Sequence, residues 1–250
     1  MRAKIHCIFE PSRLHRVSTT RTTVATWNVE WATTRGRRGA TVRDRLARLT
    51  ADILVVTEGR RGLLPDDGYT LDGGDWGYAI EPDRRKVLAY SRQPFSDVIR
   101  IESGGGAGRV VTALTDTPIG AVRLLAVCIP WSRAHVSTGR RDAAPWSEHL
   151  ACLDQIEDLV NGFEASVPVI VAGDFNQKIP RARQPILVAD RLAEVMTRWT
   201  CHTAGTTDDG QLIDHIASNV DCVALRTWPG TTGDLRLSDH SGVVCELAQT

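Results

Sequence analysis

The chain has 250 residues, 30 Lys and Arg against 30 Asp and Glu, and 42% hydrophobic residues. That balance supplies a substantial core and excludes a disordered chain. A formal charge of zero excludes adhesion to a polyanion by bulk charge alone, and no apolar run reaches the ~20 residues of a spanning helix.

The neutrality hides a gradient. Residues 1–50 hold 11 basic residues against 3 acidic ones, and the last fifty hold 2 against 7. The segment 1–21 carries Arg2, Lys4, Arg13, Arg16 and Arg21 without the apolar stretch of a secretory signal. It reads as a flexible basic tail before one compact domain over 22–250, in a cytoplasmic and monomeric protein. Six scattered cysteines without a Cys-x-x-Cys pair argue against a disulfide framework or a zinc site. Cys128, Cys222 and Cys245 read as small core residues.

In chain order, residues 24–31 alternate apolar and polar as a half-buried strand does. Residues 36–39 read as a loop, and 41–50 space Val42, Leu46 and Leu49 along one helical face. Residues 52–57 form a short β-branched strand, and the Gly- and Asp-rich stretch 59–82 reads mostly as loop. Strands are expected at 87–90 and 98–101, a turn at 103–108, and a hairpin at 109–115 and 120–129. Trp146, Leu150, Leu153, Ile156 and Leu159 place a helix over 145–160. A buried strand follows at 168–172, a helix at 184–196, and strands at 212–218, 220–227 and 242–247. No internal repeat appears.

Polar residues collect where the apolar strands end. Asn28 and Glu30 share one face of the first strand, being two residues apart. Glu58 follows the second strand, and Asp174 and Asn176 follow the strand at 168–172. Asp214 and His215 lie in LIDHIAS, and Asp239 and His240 precede the last strand. Any one of these has an ordinary reading, since Asp and Asn bond turns at strand ends. Five strand ends doing so together point to carboxylates converging at one rim.

The segments TWNVEW, VVTEGR, VLAYSRQPF, GRVV, VAGDFNQ, LIDHIAS and LSDHSGVV occur in this order over residues 24–247. In these motifs the chain resembles the endonuclease/exonuclease/phosphatase superfamily. The resemblance implies a four-layer α/β sandwich of two packed mixed β-sheets with outer helices, and a hydrolase cleaving phosphate esters with Mg²⁺, or Mn²⁺ in its place. It implies Glu58 as principal metal ligand, Asp239 as the second acidic corner and Glu30 in support. Asn28 would orient the metal ligand and the phosphate, and Asp174 would align or deprotonate the attacking water. Asn176 would donate to a phosphate oxygen, and His240, oriented by Asp214, would contact the phosphate. Arg109 is a further phosphate or packing candidate. Where many members carry a Tyr or His before the long helix, this chain has Cys128 and Ile129, so Trp131, Arg133 or His135 would supply the missing contact. Trp76, in a loop, is a further candidate for substrate contact. The implied substrate is nucleic acid, cut by an endo- or exonuclease. The alternatives are a small phosphate ester or phospholipid, and a catalytically silent binding module.

Overall fold

The computed structural model describes residues 20–78 and 81–249. In chain order its elements are β1 (Arg21–Asn28), α1 (Gly36–Arg48), β2 (Ile53–Arg60), β3 (Tyr69–Asp72), β4 (Arg84–Ser91), β5 (Ser96–Arg100), β6 (Val110–Thr117) and β7 (Gly120–Cys128). Then come α2 (Ser147–Asn161), β8 (Val169–Asp174), α3 (Ile186–Val195), β9 (Thr200–Cys201), β10 (Thr206–Thr207) and β11 (Gly210–Gln211). The chain closes with β12 (Asp214–Ser218), β13 (Asp221–Trp228), β14 (Thr231–Thr232), β15 (Leu235–Arg236) and β16 (Gly242–Ala248).

Two six-stranded sheets carry the structure, ordered β13-β16-β1-β2-β4-β3 and β5-β6-β7-β8-β12-β9. Each is antiparallel except for one parallel pair, β1 with β2 and β7 with β8. A parallel pair needs a crossover, and here α1 and α2 supply it.

Side-chain alternation turns these sheets into layers. Val24, Ile53 and Val55 of the first sheet face Leu124, Ile170 and Ile216 of the second across a fully buried interior. Their neighbours Ala25, Trp27, Leu54 and Val56 face outward onto Val42 and Leu46 of α1. On the far side Leu125, Val127, Val169 and Val171 pack on Leu153, Ile156 and Val160 of α2 and on Leu192 of α3. The result is the expected four-layer α/β sandwich. Trp27 is fully buried, meets Trp228 edge-on at 5.8 Å, and donates its Nε1–H to the carbonyl of His240 at 3.0 Å. It thereby ties core packing to the rim of the sheets.

Three local expectations are corrected. The helix read at 41–50 begins at Gly36, inside the stretch read as a loop. A Cβ at Gly39 would lie 1.9 Å from the Thr33 carbonyl oxygen, so the first turn packs on the preceding backbone instead of presenting an apolar stripe. The first strand ends at Asn28 instead of residue 31, because Glu30 and Trp31 take positive φ of 46° and 56° and turn the chain away. The stretch read as a loop over 59–82 contains β3, an edge strand with only Leu71 buried, too sparse a pattern to read. Residues 1–19, most of the segment expected as a basic tail, lie outside the described residues. Among the described residues five cysteines are free, and no helix is long and apolar enough to cross a membrane.

Candidate active site

The two parallel pairs end side by side. Asn28 closes β1, and Glu58 lies near the end of β2. Asp174 closes β8 opposite Asp214, the first residue of β12. The loop carrying Asp239 and His240 enters β16, the other neighbour of β1. Ser238 fastens that loop: its hydroxyl donates to the Asn28 carbonyl at 2.6 Å and accepts the His240 N–H at 3.0 Å. Strand order, not sequence proximity, brings the polar ends together.

Asp174 is the centre of the arrangement. It is 1% exposed, and its oxygens accept from Asn28 Nδ2 at 2.9 Å, the Asn176 backbone N–H at 2.8 Å and Asn176 Nδ2 at 3.0 Å. Burial, joined by the negative charge of Asp214, pushes its pKa up to about 7, against the pull of His240 and those donors. Beside it Asp214 Oδ2 accepts the Nδ1–H of His240 in a short hydrogen bond. Burial opposes the charge on His240, but the field and hydrogen bond of Asp214 win and push its pKa up to about 10. The imidazole is therefore a cation at neutral pH, with Nε2 turned from Asp214 and 3.7 Å from Asp239 Oδ1.

These shifts have a sign. Both groups bind a proton more tightly folded than unfolded, so both withdraw stability as pH rises. For Asp174 the loss runs from the ordinary carboxylate value near 4 to about 7. In chelator, the wild-type melting temperature relative to Asp174→Asn is expected to fall across that interval and level off above it. An offset independent of pH would contradict this account of Asp174.

The remaining expected residues are placed as follows. Glu58 has φ of 49°, a strained backbone for a non-glycine residue, and its Oε1 takes an ion pair from Lys86 Nζ at 2.6 Å. Asp239 is largely exposed. The Glu30 oxygens are engaged by Arg236 at 2.6 Å and Arg38 at 3.4 Å. Asn176 Nδ2 donates to Asp174 and to the Ile129 carbonyl at 2.8 Å, so both amide hydrogens brace the site. His135 is 4% exposed, with Nδ1 facing the Tyr78 hydroxyl at 3.1 Å, so it supplies no surface donor. Trp131 and Arg133 are exposed in the same loop. Trp76 is buried and stacks on Trp31, so it belongs to packing rather than to an open contact surface. Arg109 is 5% exposed, and its guanidinium makes no hydrogen bond or ion pair with the described residues. Cys128 is buried opposite Asp174, its thiol pushed up by burial and acted on by the charges of Lys86, Asp174, Glu58 and Arg109. It is a neutral floor to the site.

Sequence reading left one bracing group unassigned. Gln177 donates its side-chain Nε2–H to His149 Nε2 at 2.8 Å and to the Val188 carbonyl at 3.1 Å. His149 in turn donates Nδ1–H to the Pro130 carbonyl at 2.7 Å. His215 donates Nε2–H to the Gln177 carbonyl at 3.0 Å. Burial pushes both histidines down to about 4, so they stay neutral with fixed tautomers. They lock the turn that carries Asp174 and Asn176. The signal available was His149 on the buried face of α2 and His215 beside Asp214.

The two carboxylates fit a divalent cation. Oxygens of Asp174 and Asp214 lie within 4.8 Å of one another, close to the His240 ring, and the buried Asp214 Oδ1 has no hydrogen-bond partner among the described residues. Two adjacent buried carboxylates need a proton or a cation, and hard oxygen ligands suit Mg²⁺ or Mn²⁺.

With this geometry described, comparison with known proteins is decisive. The endonuclease/exonuclease/phosphatase family model matches residues 25–240. The chain belongs to this family. Its members are metal-dependent phosphoesterases, and the fold is shared widely. An endonuclease/exonuclease/phosphatase protein from Beutenbergia cavernae is 21% identical, with TM-score 0.60, over 92% of this chain and 72% of that one. The Neisseria 3′ phosphatase NExo, bound to a product DNA hairpin, is 18% identical, with TM-score 0.61, over 90% and 99% of the two chains. D. rerio TDP2, complexed with single-strand DNA product, is 15% identical, with TM-score 0.61, over 92% and 99%. No curated protein sequence matches the chain.

Proposed function

We propose that this family member hydrolyses phosphodiester bonds of nucleic acid by attack of water, with Mg²⁺ or Mn²⁺ bound at the rim. The observation that carries the reading is the buried Asp174 carboxylate, held by three N–H donors beside the Asp214–His240 pair. When bound, the cation supplies charge neutralisation at the phosphoryl oxygens. Asp174, Asp214 and the unpaired oxygen of Glu58 are the carboxylate groups that would hold it.

The protein's own residues do the rest. Asp174 is fixed in orientation by its three N–H donors, and a carboxylate so held can align the attacking water or take its proton. His240 presents a positively charged Nε2–H toward a non-bridging oxygen, where it stabilises the charge that builds in the transition state. Asn28 couples the two sheets: its side-chain N–H reaches Asp174 across the interface while its Oδ1 accepts the Glu30 backbone N–H at 2.9 Å. Trp131 and Arg133, exposed in the loop after β7, would meet a base and a phosphate beyond the reacting bond. The DNA products bound to the Neisseria and D. rerio proteins of the same fold support nucleic acid over a small ester.

Stripping the protein with chelator is expected to abolish hydrolysis, and adding Mg²⁺ or Mn²⁺ to restore it. The panel should hold single- and double-stranded DNA, RNA, mononucleotides, sugar phosphates and phospholipid. Turnover confined to the small esters or lipid would move the reading to a phosphatase or lipid phosphodiesterase. No turnover with either metal would favour the binding module.

A further inference from the structure

Outside the rim the surface carries a second cationic feature. A groove of about 500 Å³ runs between α1 and the edge strand β13, on the outer face of the first sheet. Arg45 and Arg48 line it from the helix, Arg226 and Trp228 from the strand. Its one carboxylate is Asp44. Among the described residues none of the three arginines makes an ion pair. Arg45 is half-buried, donates to the Pro229 carbonyl at 3.0 Å, and has its pKa lowered by burial. A half-buried cation without an ion pair, beside two more cations, attracts an anion.

The elements that line the groove also lead to the catalytic rim. Arg38, Arg45 and Arg48 fall at i, i+7 and i+10 of α1, on one helical face. The rim end of that stripe, Arg38, donates to the carbonyls of Leu237, Val29 and Glu30. On the strand side Trp228 pairs with Gly242, two residues after His240, and touches Trp27, the donor to the His240 carbonyl. A chain whose reacting phosphate lies at His240 therefore has a short path along the surface to these arginines.

We infer that the α1–β13 groove is an exosite for the phosphate groups of the nucleic-acid strand beyond the scissile bond. Resting on the nuclease reading above, it assigns the enzyme a substrate class, polymers instead of dinucleotides. Guanidinium pairs provide phosphate contact without base selection, and the Trp228 ring forms an apolar wall for the strand.

The test uses the full chain and the double variant Arg48→Gln, Arg226→Gln. Both residues are exposed and neither belongs to the catalytic group. The probe is fluorescein-labelled single-stranded DNA long enough to span rim and groove, bound in chelator. Losing two phosphate contacts is expected to reduce the slope of log affinity against log salt by about 1.4, which is about twenty-fold in affinity near 0.1 M salt. Asp44→Asn is expected to act oppositely, tightening binding. Hydrolysis of bis(p-nitrophenyl) phosphate, too small to reach the groove, is expected to be unchanged. Unaltered affinity and salt slope in the double variant would overturn the exosite even if DNA is hydrolysed. So would AMP displacing the labelled strand through the same arginines with an affinity equal to the strand's, since the groove would then be a mononucleotide site. Weakened binding by the variant, in an enzyme that cleaves no nucleic acid, would leave the groove standing and remove the nuclease reading.

Discussion

Asp174→Ala is expected to lower turnover by about 10³- to 10⁴-fold while leaving the fold in place. General-base catalysis contributes about 10²- to 10⁴-fold in well-placed carboxylates. Asp174 lies at the top of that range because its loss also frees the Asn28 and Asn176 amides that it orients. Asp174→Asn keeps the volume and separates the effects. If the base is what matters, the amide variant is nearly as inactive as the alanine. His240→Ala, which removes the positive Nε2–H, is expected to cost about 10²- to 10³-fold, the scale of losing one transition-state donor. Because the two act on one phosphate, the double variant should fall little below Asp174→Ala. Initial rates on a cleaved substrate with Mg²⁺ saturating check both. Asp174→Ala retaining a tenth of wild-type activity would remove it as the base.

The second large effect is structural. Gly173→Ala is expected to destabilise the fold by about 3 kcal/mol or more, lowering the urea midpoint and emptying the site with it. Gly173 takes φ of 141°, and a Cβ there would lie 1.8 Å from the Val127 carbonyl oxygen in the neighbouring strand β7. That obstacle is backbone of the paired strand and cannot rotate away. The glycine is what lets β8 approach β7 one residue before Asp174. Gly120→Ala provides the contrast: it too has a positive φ, but nothing lies within 4 Å of its Cβ position. Its cost should be a fraction of that at Gly173, and equal effects would contradict the packing argument.

Much of this architecture was legible in the residues. Runs such as ILVV at 53–56 and VIVA at 169–172, short, bounded and β-branched, read as strands buried on both faces, and the three- and four-residue spacing in α2 reads as a helix. The motifs around Asn28, Glu58, Asp174, Asp214 and His240 identified the family because each is short, polar and placed at a strand end. The elements that escaped are those whose stability is not local. β3 is nearly all exposed, and the start of α1 rests on contact between Gly39 and the Thr33 carbonyl.

The roles of single residues divided along the same line. Glu30 and Asn176 carry the right chemistry in the right motif, but their hydrogen bonds are spent on Arg38 and Arg236 and on Ile129 and Asp174. Linear spacing does not record such partners, which arrive from other strands. His135 and Trp76 read as loop residues open to substrate, yet they pack on Tyr78 and Trp31.

The neutral charge with its basic start and acidic end, the strand and helix periods, and the order of the motifs were determined by the sequence itself, because each is a local or one-dimensional property. Which carboxylates share a cavity was decided only by the tertiary structure. The pairing of β1 with β16 and of β8 with β12 sets Asp174, Asp214 and His240 within 4.8 Å of one another across large sequence separations. The same strand order leaves three arginines without ion pairs, among the described residues, along the groove between α1 and β13. Burial at that meeting point raises the proton affinity of Asp174, and the neighbouring Asp214 carboxylate raises that of His240 against its burial.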